Sequence, residues 1–170
     1  MLDVAALATA SARGEAAVRF VLLKQADEHG FVFYTDKRSA KGRTLEENPS
    51  AALAFYWDRT NRQVRVEGSV EAVSDEEADS YWASRERGSQ LSGSVSVQSS
   101  PLKSRAELVA RVARAKSLFA GKAIPRPPYW GGFRLRPTRI EFWIRGASRL
   151  HRREVFIRTG KVWKRMMLQP

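Results

Sequence analysis

The feature that most constrains the fold of this chain is a succession of short β-type segments separated by turn residues. In the segment 63–73, apolar and small residues alternate with polar ones, as expected for a strand with one face in solvent. Similar strands are predicted at 4–9, 16–23, 31–35, 51–57, 132–135, 139–144, 154–158 and 161–168. The turn signals between them include the segments 11–14 and 27–30, each of which ends in glycine.

Three helices are predicted between these strands. One covers 39–47, a second covers 74–84 and begins with a capping box, and the third covers 104–119. Residues 85–101 are rich in Gly, Ser and Gln and are predicted to form a loop, which in a compact domain suggests a binding role. The whole pattern predicts a mainly β (α+β) fold, a β-barrel with peripheral helices.

The composition allows one compact domain over residues 1–170 and excludes several kinds of site. The chain is 43% hydrophobic, which is enough for a sizeable core. It has no cysteine and two histidines, so disulfides and thiol nucleophiles are excluded and no metal site is expected. No apolar run reaches the ~20 residues that span a bilayer, and no signal-peptide pattern is present. We therefore expect a cytoplasmic protein without a membrane partner.

The formal net charge of +12 predicts an anionic partner. The basic residues are spread over many segments, with modest clusters at 37–43, 145–153 and 161–165. A nucleic-acid-binding protein usually concentrates its cations along one helix or arm. The spread therefore favours separate contacts to phosphate or carboxylate groups, as in a site for a phosphorylated small molecule, and no nucleic-acid partner is expected.

Nine segments resemble, in order, the motifs of the pyridoxamine 5′-phosphate oxidase family. They are RFVLLK (19–24), GFVFYT (30–35), ENP (47–49), RQVRVEG (62–68), YWASRERGSQ (81–90), QSS (98–100), PRPPYWGGFRL (125–135), RIEFW (139–143) and RLH (149–151). Together they cover nearly the whole chain. The resemblance implies that family's fold, an FMN-binding split β-barrel with peripheral helices that is completed by homodimerisation, with FMN at the subunit interface.

The resemblance implies that Arg19 and Lys41 bind the phosphate of FMN, because cationic groups beside hydroxyl and amide donors suit that anion. It places Gln63 at the polar edge of the flavin. Trp143 and Arg153 would flank the isoalloxazine, where Arg153 favours negative charge on the reduced ring. Taken without the family, Lys41 would be a solvated surface charge and Trp143 a core aromatic. The other residues implied for the FMN site are Phe20, Val21, Leu22, Lys24, Tyr34, Thr35, Gln98 and Ser99.

The same resemblance assigns a site for the phosphate of a pyridoxyl substrate. Its members are Lys24, Tyr81, Arg85 and Ser89. Tyr81 and Arg85 are four residues apart on a predicted helix and so share one of its faces. This spacing is equally that of an ordinary pair on a helix surface.

Arg149 and His151 are the candidate catalytic residues and also belong to the implied substrate site. They lie two apart on a segment predicted to be extended, so their side chains project to the same side. In the family such a pair lies over the substrate ring, opposite the flavin. The implied reaction is FMN-dependent oxidation of pyridoxamine or pyridoxine 5′-phosphate to pyridoxal 5′-phosphate, with hydride transfer to the flavin and O2 as the final acceptor.

The chain departs from the family pattern at two places that bear on the site. Ala40-Lys41 stands where the family has two basic residues, so one FMN phosphate contact is missing, and Arg38 or Arg43 is a candidate replacement. The chain also starts, at Met1, close to its first predicted strand. The N-terminal segment that helps close the active site in longer members is therefore expected to be absent.

Three other functions stay open on the sequence. Relatives in phenazine biosynthesis oxidise reduced tricyclic intermediates with the same barrel and flavin, although the retained residues of the phosphate site favour a phosphorylated substrate over a bulky tricycle. A flavin-binding protein with little turnover would agree with a missing lid. A basic nucleic-acid binder is supported by the charge but by no recognition motif.

Overall fold

The computed structural model describes residues 4–170. Met1, on which the expectation about the start of the chain rests, lies outside the described residues. The strands are β1 (Val4–Ala10), β2 (Ala16–Leu22), β3 (Gln25–Asp27), β4 (Gly30–Asp36), β5 (Ser50–Trp57), β6 (Arg62–Ala72), β7 (Trp130–Ile144), β8 (Arg152–Thr159) and β9 (Val162–Leu168). The helices are α1 (Ala40–Glu47), α2 (Asp75–Ser84), α3 (Arg87–Val95) and α4 (Arg105–Leu118), with 3-10 turns at Asp58–Thr60 and Ala147–Arg149.

All nine described strands belong to one sheet. Its order is β2-β1-β5-β6-β7-β4-β3, and β8 pairs with β7 and β9 with β8. The predicted turns at 11–14 and 27–30 join antiparallel hairpins, β1–β2 and β3–β4. The prediction of a mainly β fold that also contains helices is confirmed.

The described chain divides into two compact units. The strand unit comprises residues 4–33, 44–71 and 133–170, and the helical unit comprises 34–43 and 72–132. The prediction of one domain over residues 1–170 stays a prediction.

The core of the strand unit is formed by side chains that point inward from β1, β5 and β6, among other strands. Leu7, Leu53 and Val66 are each 0% exposed. The alternation predicted for β6 is confirmed, because its neighbours Arg65 and Glu67 point to the opposite face and form an ion pair at 2.6 Å. One face of β6 is therefore apolar and buried, while the other carries charge.

The core of the helical unit includes a helix that the sequence did not predict. A loop was predicted over 85–101, and this is wrong because α3 covers Arg87–Val95. Glycine and serine lower its intrinsic helix propensity, but packing compensates. Leu91 is buried, and the backbone at Gly93 lies so close to Trp82 that an added Cβ would sit 3.1 Å from the indole ring. The described helices therefore number four and not the three predicted.

Strand β7 is continuous where two strands were predicted, at 132–135 and 139–144. Pro137 interrupts the sequence pattern because proline lacks the N–H that a strand donates. The strand nevertheless continues through Pro137. Beside this position, β6 approaches so closely that a Cβ at Gly68 would lie 2.0 Å from the carbonyl oxygen of Arg136, so only glycine fits.

The predicted helix starts are confirmed at α2 and α4. The hydroxyls of Ser74 and Ser104 accept hydrogen bonds at 3.2 Å from the backbone N–H of Glu77 and Glu107. Among residues 4–170, the structure contains no helix with both the length and the apolar character needed to cross a membrane.

We expect Leu53→Ala to lower the free energy of unfolding by about 2–5 kcal/mol, because it opens a cavity at a fully buried side chain. The matched control is Leu118→Ala, since Leu118 is 68% exposed at the end of α4. Its effect should stay within about 0.5 kcal/mol. Urea unfolding followed by circular dichroism measures both values. Equal effects at the two positions would contradict this description of the core.

Candidate functional site

Three polar side chains in the helical unit form a cluster suited to a phosphate. Lys41 Nζ lies 3.1 Å from both Thr35 Oγ1 and Gln98 Oε1, and the Thr35 hydroxyl donates to Gln98 Oε1 at 2.8 Å. An ammonium, a hydroxyl and an amide are groups with which proteins bind phosphate, and a bound phosphate would replace Gln98 Oε1 as the acceptor for Lys41 and Thr35. The structure thus brings together three residues predicted for the FMN phosphate, here called the phosphate cluster (Thr35, Lys41 and Gln98). Ser99, also predicted, follows in an exposed turn with φ +71°.

Arg38 and Arg43, the two candidates to replace the FMN phosphate contact missing at Ala40, have other partners within the helical unit. Arg38 forms an ion pair with Asp36 at 2.8 Å and donates to the carbonyl oxygen of Ser96 at 3.2 Å. Its guanidinium carbon also lies 3.2 Å from the centre of the Tyr129 ring. Arg43 donates to the carbonyl oxygen of Arg38. Both guanidiniums are therefore used for contacts within the chain, and the phosphate cluster has Lys41 as its cation.

Asp36 is a buried carboxylate, 6% exposed. It holds together the two chain segments that carry Thr35 and Gln98 of the phosphate cluster. Burial acts to raise the pKa of the Asp36 carboxyl, but hydrogen bonds from Arg38 and from the backbone N–H of Gln98 outweigh it, and the net pKa lies below the ordinary value. The ionised carboxylate therefore ties the turn that carries Gln98 to the end of β4.

An aromatic stack joins residues that were predicted for two different parts of the site. The rings of Tyr34 and Tyr81 lie 3.9 Å apart at an interplanar angle of 15°, and Trp130 lies 5.6 Å from Tyr34. The guanidinium carbon of Arg85 lies 4.7 Å from the Trp130 ring. A cavity of about 250 Å3 is lined by Tyr34, Arg85 and Trp130 together with two members of the phosphate cluster.

Arg85 carries a buried donor that finds no hydrogen-bond acceptor in the part of the chain that the structure describes. That donor is Nε, whereas Nη2 donates to the carbonyl oxygen of Ser89 at 3.2 Å. Burial lowers the pKa of the Arg85 guanidinium, and the nearby Tyr81 opposes this change. Leaving a buried donor unsatisfied costs about 1–3 kcal/mol. An anion bound at Arg85 would remove that cost, so Arg85 fits the phosphate site that was predicted for it together with Tyr81 and Ser89.

In the strand unit, Arg19 lies on β2 with its side chain folded over β1. Its Nη1 donates to Thr9 Oγ1 at 2.7 Å and to the carbonyl oxygens of Leu7 and Ala17 at 3.3 and 3.2 Å. Partial burial lowers the pKa of the Arg19 guanidinium. These contacts engage one of its two terminal nitrogens, so Arg19 keeps donors for an external anion.

The neighbouring predicted residues of β2 differ in their exposure. Phe20 is 78% and Leu22 46% exposed, whereas Val21 packs against the core of the strand unit. Lys24 follows the strand with an exposed side chain, and its backbone N–H donates to the carbonyl oxygen of Val32 at 2.8 Å. Side chains at 20 and 22 therefore form an open apolar face on this edge strand.

A second cavity, of about 870 Å3, lies in the strand unit and brings together both predicted catalytic residues. Arg149 and His151 line it together with Trp143 and Tyr56. The rings of Trp143 and His151 lie 4.6 Å apart. The backbone N–H of Gly146 donates to His151 Nδ1 at 3.2 Å. In the neutral ring this bond leaves the proton on Nε2, which makes Nε2 the donor available to a ligand.

The prediction that Arg149 lies on an extended segment is wrong. Residues Ala147–Arg149 form a 3-10 turn, in which Ser148 and Arg149 have φ of +49° and +63°. The left-handed conformation costs energy for residues other than glycine. The turn is tight, since a Cβ at Gly146 would lie 1.9 Å from the carbonyl oxygen of Leu150. This turn, and not strand alternation, brings Arg149 to the same cavity as His151.

The residues predicted around the flavin ring lie on the charged face of the sheet in the strand unit. Trp143 on β7 pairs with Arg153 on β8. Gln63 lies on β6 two residues before Arg65, so the two share a face, and Arg65 contacts Glu141 of β7 at 3.7 Å. Gln63, Trp143 and Arg153 therefore belong to one face, and their mixture of amide, indole and guanidinium groups fits a flavin ring with a polar edge.

Sequence reasoning missed three residues that organise these sites. Trp130 stacks on Tyr34, Asp36 holds Arg38, and Glu141 binds Arg153 at 2.7 Å. One of them left a signal, because Glu141 is a charged residue between Ile140 and Phe142 in a strand. Such a position indicates a buried carboxylate that needs a cationic partner.

Comparison with protein families identifies two matching regions. Residues 2–119 match the family described as pyridoxamine 5′-phosphate oxidase. Residues 130–170 match the region described as pyridoxine 5′-phosphate oxidase C-terminal dimerisation region. Together the two matches cover most of the chain.

Individual relatives agree with the family match. The chain is 52% identical to the pyridoxine/pyridoxamine 5′-phosphate oxidases of Rubrobacter xylanophilus and Myxococcus xanthus over 96% of its length, covering 76% and 80% of those proteins. Among solved structures, PhzG from Burkholderia lata in complex with tetrahydrophenazine-1-carboxylic acid is 37% identical. It has a TM-score of 0.95, over 99% of this chain and 83% of that one. An FMN-binding protein from Nostoc punctiforme, 19% identical with a TM-score of 0.81, shares the fold.

The Asp36–Arg38 ion pair predicts a defined pH dependence of stability. Because the folded-state pKa of Asp36 is depressed, its contribution is full above the unfolded-state value of about 4 and is lost as the pH falls through the folded-state pKa. Asp36→Asn should therefore be less stable than the wild type at neutral pH, and the difference should shrink on acidification. Arg38→Gln should show the same trend. Urea unfolding between about pH 7 and 3 tests this, and a difference independent of pH would contradict it.

Proposed function

This chain belongs to the pyridoxamine 5′-phosphate oxidase family, and from that premise we propose that it is an FMN-dependent oxidase that converts pyridoxamine or pyridoxine 5′-phosphate to pyridoxal 5′-phosphate. The observation that carries the proposal is the 52% identity, over 96% of the chain, to two relatives with that activity in their names. Two sets of phosphate-binding groups in the structure support it, since both the cofactor and the substrate carry a phosphate.

The phosphate cluster and Arg19 are proposed to bind the phosphate of FMN. Lys41 and Arg19 supply cationic charge, while the Thr35 hydroxyl and the Gln98 amide supply directional contacts. In the proposed role, Gln63, Trp143 and Arg153 contact the ring from the charged face of the sheet. Bound there, FMN would supply the redox chemistry for oxidation at the C4′ carbon of the substrate, with O2 as the final acceptor and hydrogen peroxide as its product.

Tyr81, Arg85 and Ser89 are proposed to bind the phosphate of the substrate, with Lys24 as a further cation. The unsatisfied Nε of Arg85 supports this assignment, because a phosphate oxygen is the acceptor that it lacks. The guanidinium of Arg85 lies over the Trp130 ring, and this cation–π contact helps to hold the side chain in place. These residues are expected to set the affinity for the substrate and its specificity for a phosphorylated compound.

Arg149 and His151 are proposed to position the pyridine ring and to assist proton movement. His151 presents the Nε2–H group because Nδ1 accepts a hydrogen bond from Gly146. Arg149 supplies a charged donor to the same cavity. Neither residue needs to form a covalent bond with the substrate, since the cofactor supplies the redox chemistry.

We also propose that the protein acts as a homodimer with FMN at the subunit interface. The region matching the family's dimerisation model exposes several large apolar side chains, as expected of a surface that a partner covers. These side chains are Phe142, Leu150, Val162, Met166 and Met167.

Oxidation of a reduced tricyclic compound is the second candidate function. The structural similarity to PhzG, with a TM-score of 0.95, favours it. The unsatisfied Nε–H donor of Arg85 favours the phosphorylated substrate instead, because a phosphate supplies the acceptor that it lacks. A flavin-binding protein with little turnover is the outcome expected if FMN binds but neither substrate class reduces it.

The first test is anaerobic mixing of the FMN-loaded protein with pyridoxamine 5′-phosphate, followed at the flavin absorbance near ~450 nm. We expect bleaching that O2 reverses, together with formation of pyridoxal 5′-phosphate. The control substrate is pyridoxamine, which lacks the phosphate and should bleach the flavin far more slowly, because the buried Nε of Arg85 then stays without an acceptor. Flavin that stays oxidised with pyridoxamine 5′-phosphate would reject the proposed substrate. A protein that binds no FMN would reject the proposed function.

A second test uses the two histidines of the chain. His151→Ala should lower kcat/KM about 10²- to 10⁴-fold, as is typical for loss of a group that assists proton transfer, and should leave FMN affinity unchanged. His29→Ala is the matched control, since the His29 side chain is 65% exposed in the turn before β4. Steady-state kinetics and FMN titration measure both effects. Wild-type kinetics in His151→Ala would remove this residue from the site.

A further inference from the structure

A buried carboxylate, Glu141, lies among arginine side chains on the charged face of the strand unit. It is 2% exposed, although it sits in the middle of β7 between two apolar neighbours. A carboxylate shielded from water is costly unless it is paired and hydrogen-bonded. The hydrogen-bond partners of Glu141 therefore indicate its role in the structure.

The two oxygens of Glu141 serve different partners. Oε1 accepts from Nε of Arg153 at 2.8 Å and lies 2.7 Å from Nη2 of the same guanidinium. Oε2 lies farther from its neighbours, at 3.4 Å from Arg139 and 3.7 Å from Arg65. The short contacts thus all go to Arg153. Arg65 has its own closer partner, Glu67, at 2.6 Å.

These contacts fix the orientation of the Arg153 guanidinium. A guanidinium has five N–H donors, of which Glu141 takes two through Nε and Nη2. Nη1 donates to the carbonyl oxygen of Gln169 at 3.1 Å, close to the end of the chain. Two N–H groups are left for an external acceptor, and because three are held, their direction is set by the protein.

Arg153 pairs across the strands with Trp143. Both residues are predicted to flank the flavin ring, so the position of Arg153 bears on that part of the proposed FMN site. The Arg153 side chain is 26% exposed, whereas the Glu141 side chain that holds it is 2% exposed. Glu141 therefore acts on a ligand through Arg153 and has little access to that ligand itself.

We propose that Glu141 is a positioning residue that aims Arg153 at the flavin, an inference that rests on the proposed function. It does so through the Nε–Nη2 edge of the guanidinium, leaving the two remaining N–H groups to face the ring. Glu141 could act in either of two roles, and these predict opposite changes in the reduction potential of bound FMN. A carboxylate that merely neutralised nearby charge would make flavin reduction less favourable, so its removal would raise the reduction potential. A carboxylate that holds a cation near the reduced ring makes reduction more favourable, so its removal lowers the potential.

The experiment is a double-mutant cycle of Glu141→Gln and Arg153→Gln. In the wild-type background we expect Glu141→Gln to raise the Kd for FMN about tenfold, measured by quenching of FMN fluorescence. In the Arg153→Gln background the same change should alter the Kd less than about twofold. The reduction potential of bound FMN should become more negative in Glu141→Gln. Additive effects on the Kd, or an unchanged or more positive potential, would overturn the inference.

The matched control is Glu154→Gln. Glu154 is a carboxylate on the adjacent strand β8, bonded to Arg152 and lying 3.0 Å from Arg165, but it is not a partner of Arg153. Its removal should leave the Kd and the potential at wild-type values. If Glu141→Gln does not fold, as judged by thermal unfolding of the apoprotein, Glu141→Asp takes its place in the cycle. Failure of the wild-type protein to bind FMN would reject the proposed function itself, whereas FMN binding with additive effects would reject the role of Glu141 alone.

Discussion

The pairing register of β7 is the constraint on which the rest of the structure depends. Its first residue, Trp130, belongs to the core of the helical unit, and Leu135 belongs to the core of the strand unit. Farther along, Glu141 and Trp143 point to the charged face. A shift of the β7 pairing by one residue would turn each of these side chains to the opposite face of the sheet. The close approach of β6 at Gly68 restricts such a shift.

Carboxylate pairing decides which arginines are available to a ligand. Thirty basic residues outnumber eighteen acidic ones, so not every cation can have a carboxylate of its own. Asp36 uses Arg38 for a contact within the chain, whereas Glu141 holds Arg153 in place and leaves two of its N–H groups for a ligand. Among residues 4–170, Arg19 and Arg85 form no ion pair with a carboxylate, and burial lowers the pKa of each. Cations that are partly desolvated and lack a counter-charge favour an anionic ligand, which is the property that a phosphate site requires.

Backbone strain is concentrated beside the proposed catalytic residues. Ser148 and Arg149 are two successive residues with left-handed φ, which cost about 1–3 kcal/mol each. The backbone N–H of His151 donates to the carbonyl oxygen of Arg149 at 2.8 Å, and His151 Nδ1 accepts from Gly146. These bonds stabilise the turn and at the same time select the tautomer of His151. The strain is therefore coupled to the placement of both side chains.

The sequence alone determined what local patterns encode. Alternation set the buried face at Val66, and serine hydroxyls set the starts of α2 and α4, because these signals act over three or four residues. Only the tertiary structure decided the features that depend on distant partners. Helix α3 forms because Leu91 is buried in the core that contains Trp82, despite the low helix propensity of its glycines and serines. The phosphate cluster and the Glu141–Arg153 pair join residues separated along the chain, and no periodicity records contacts over such distances.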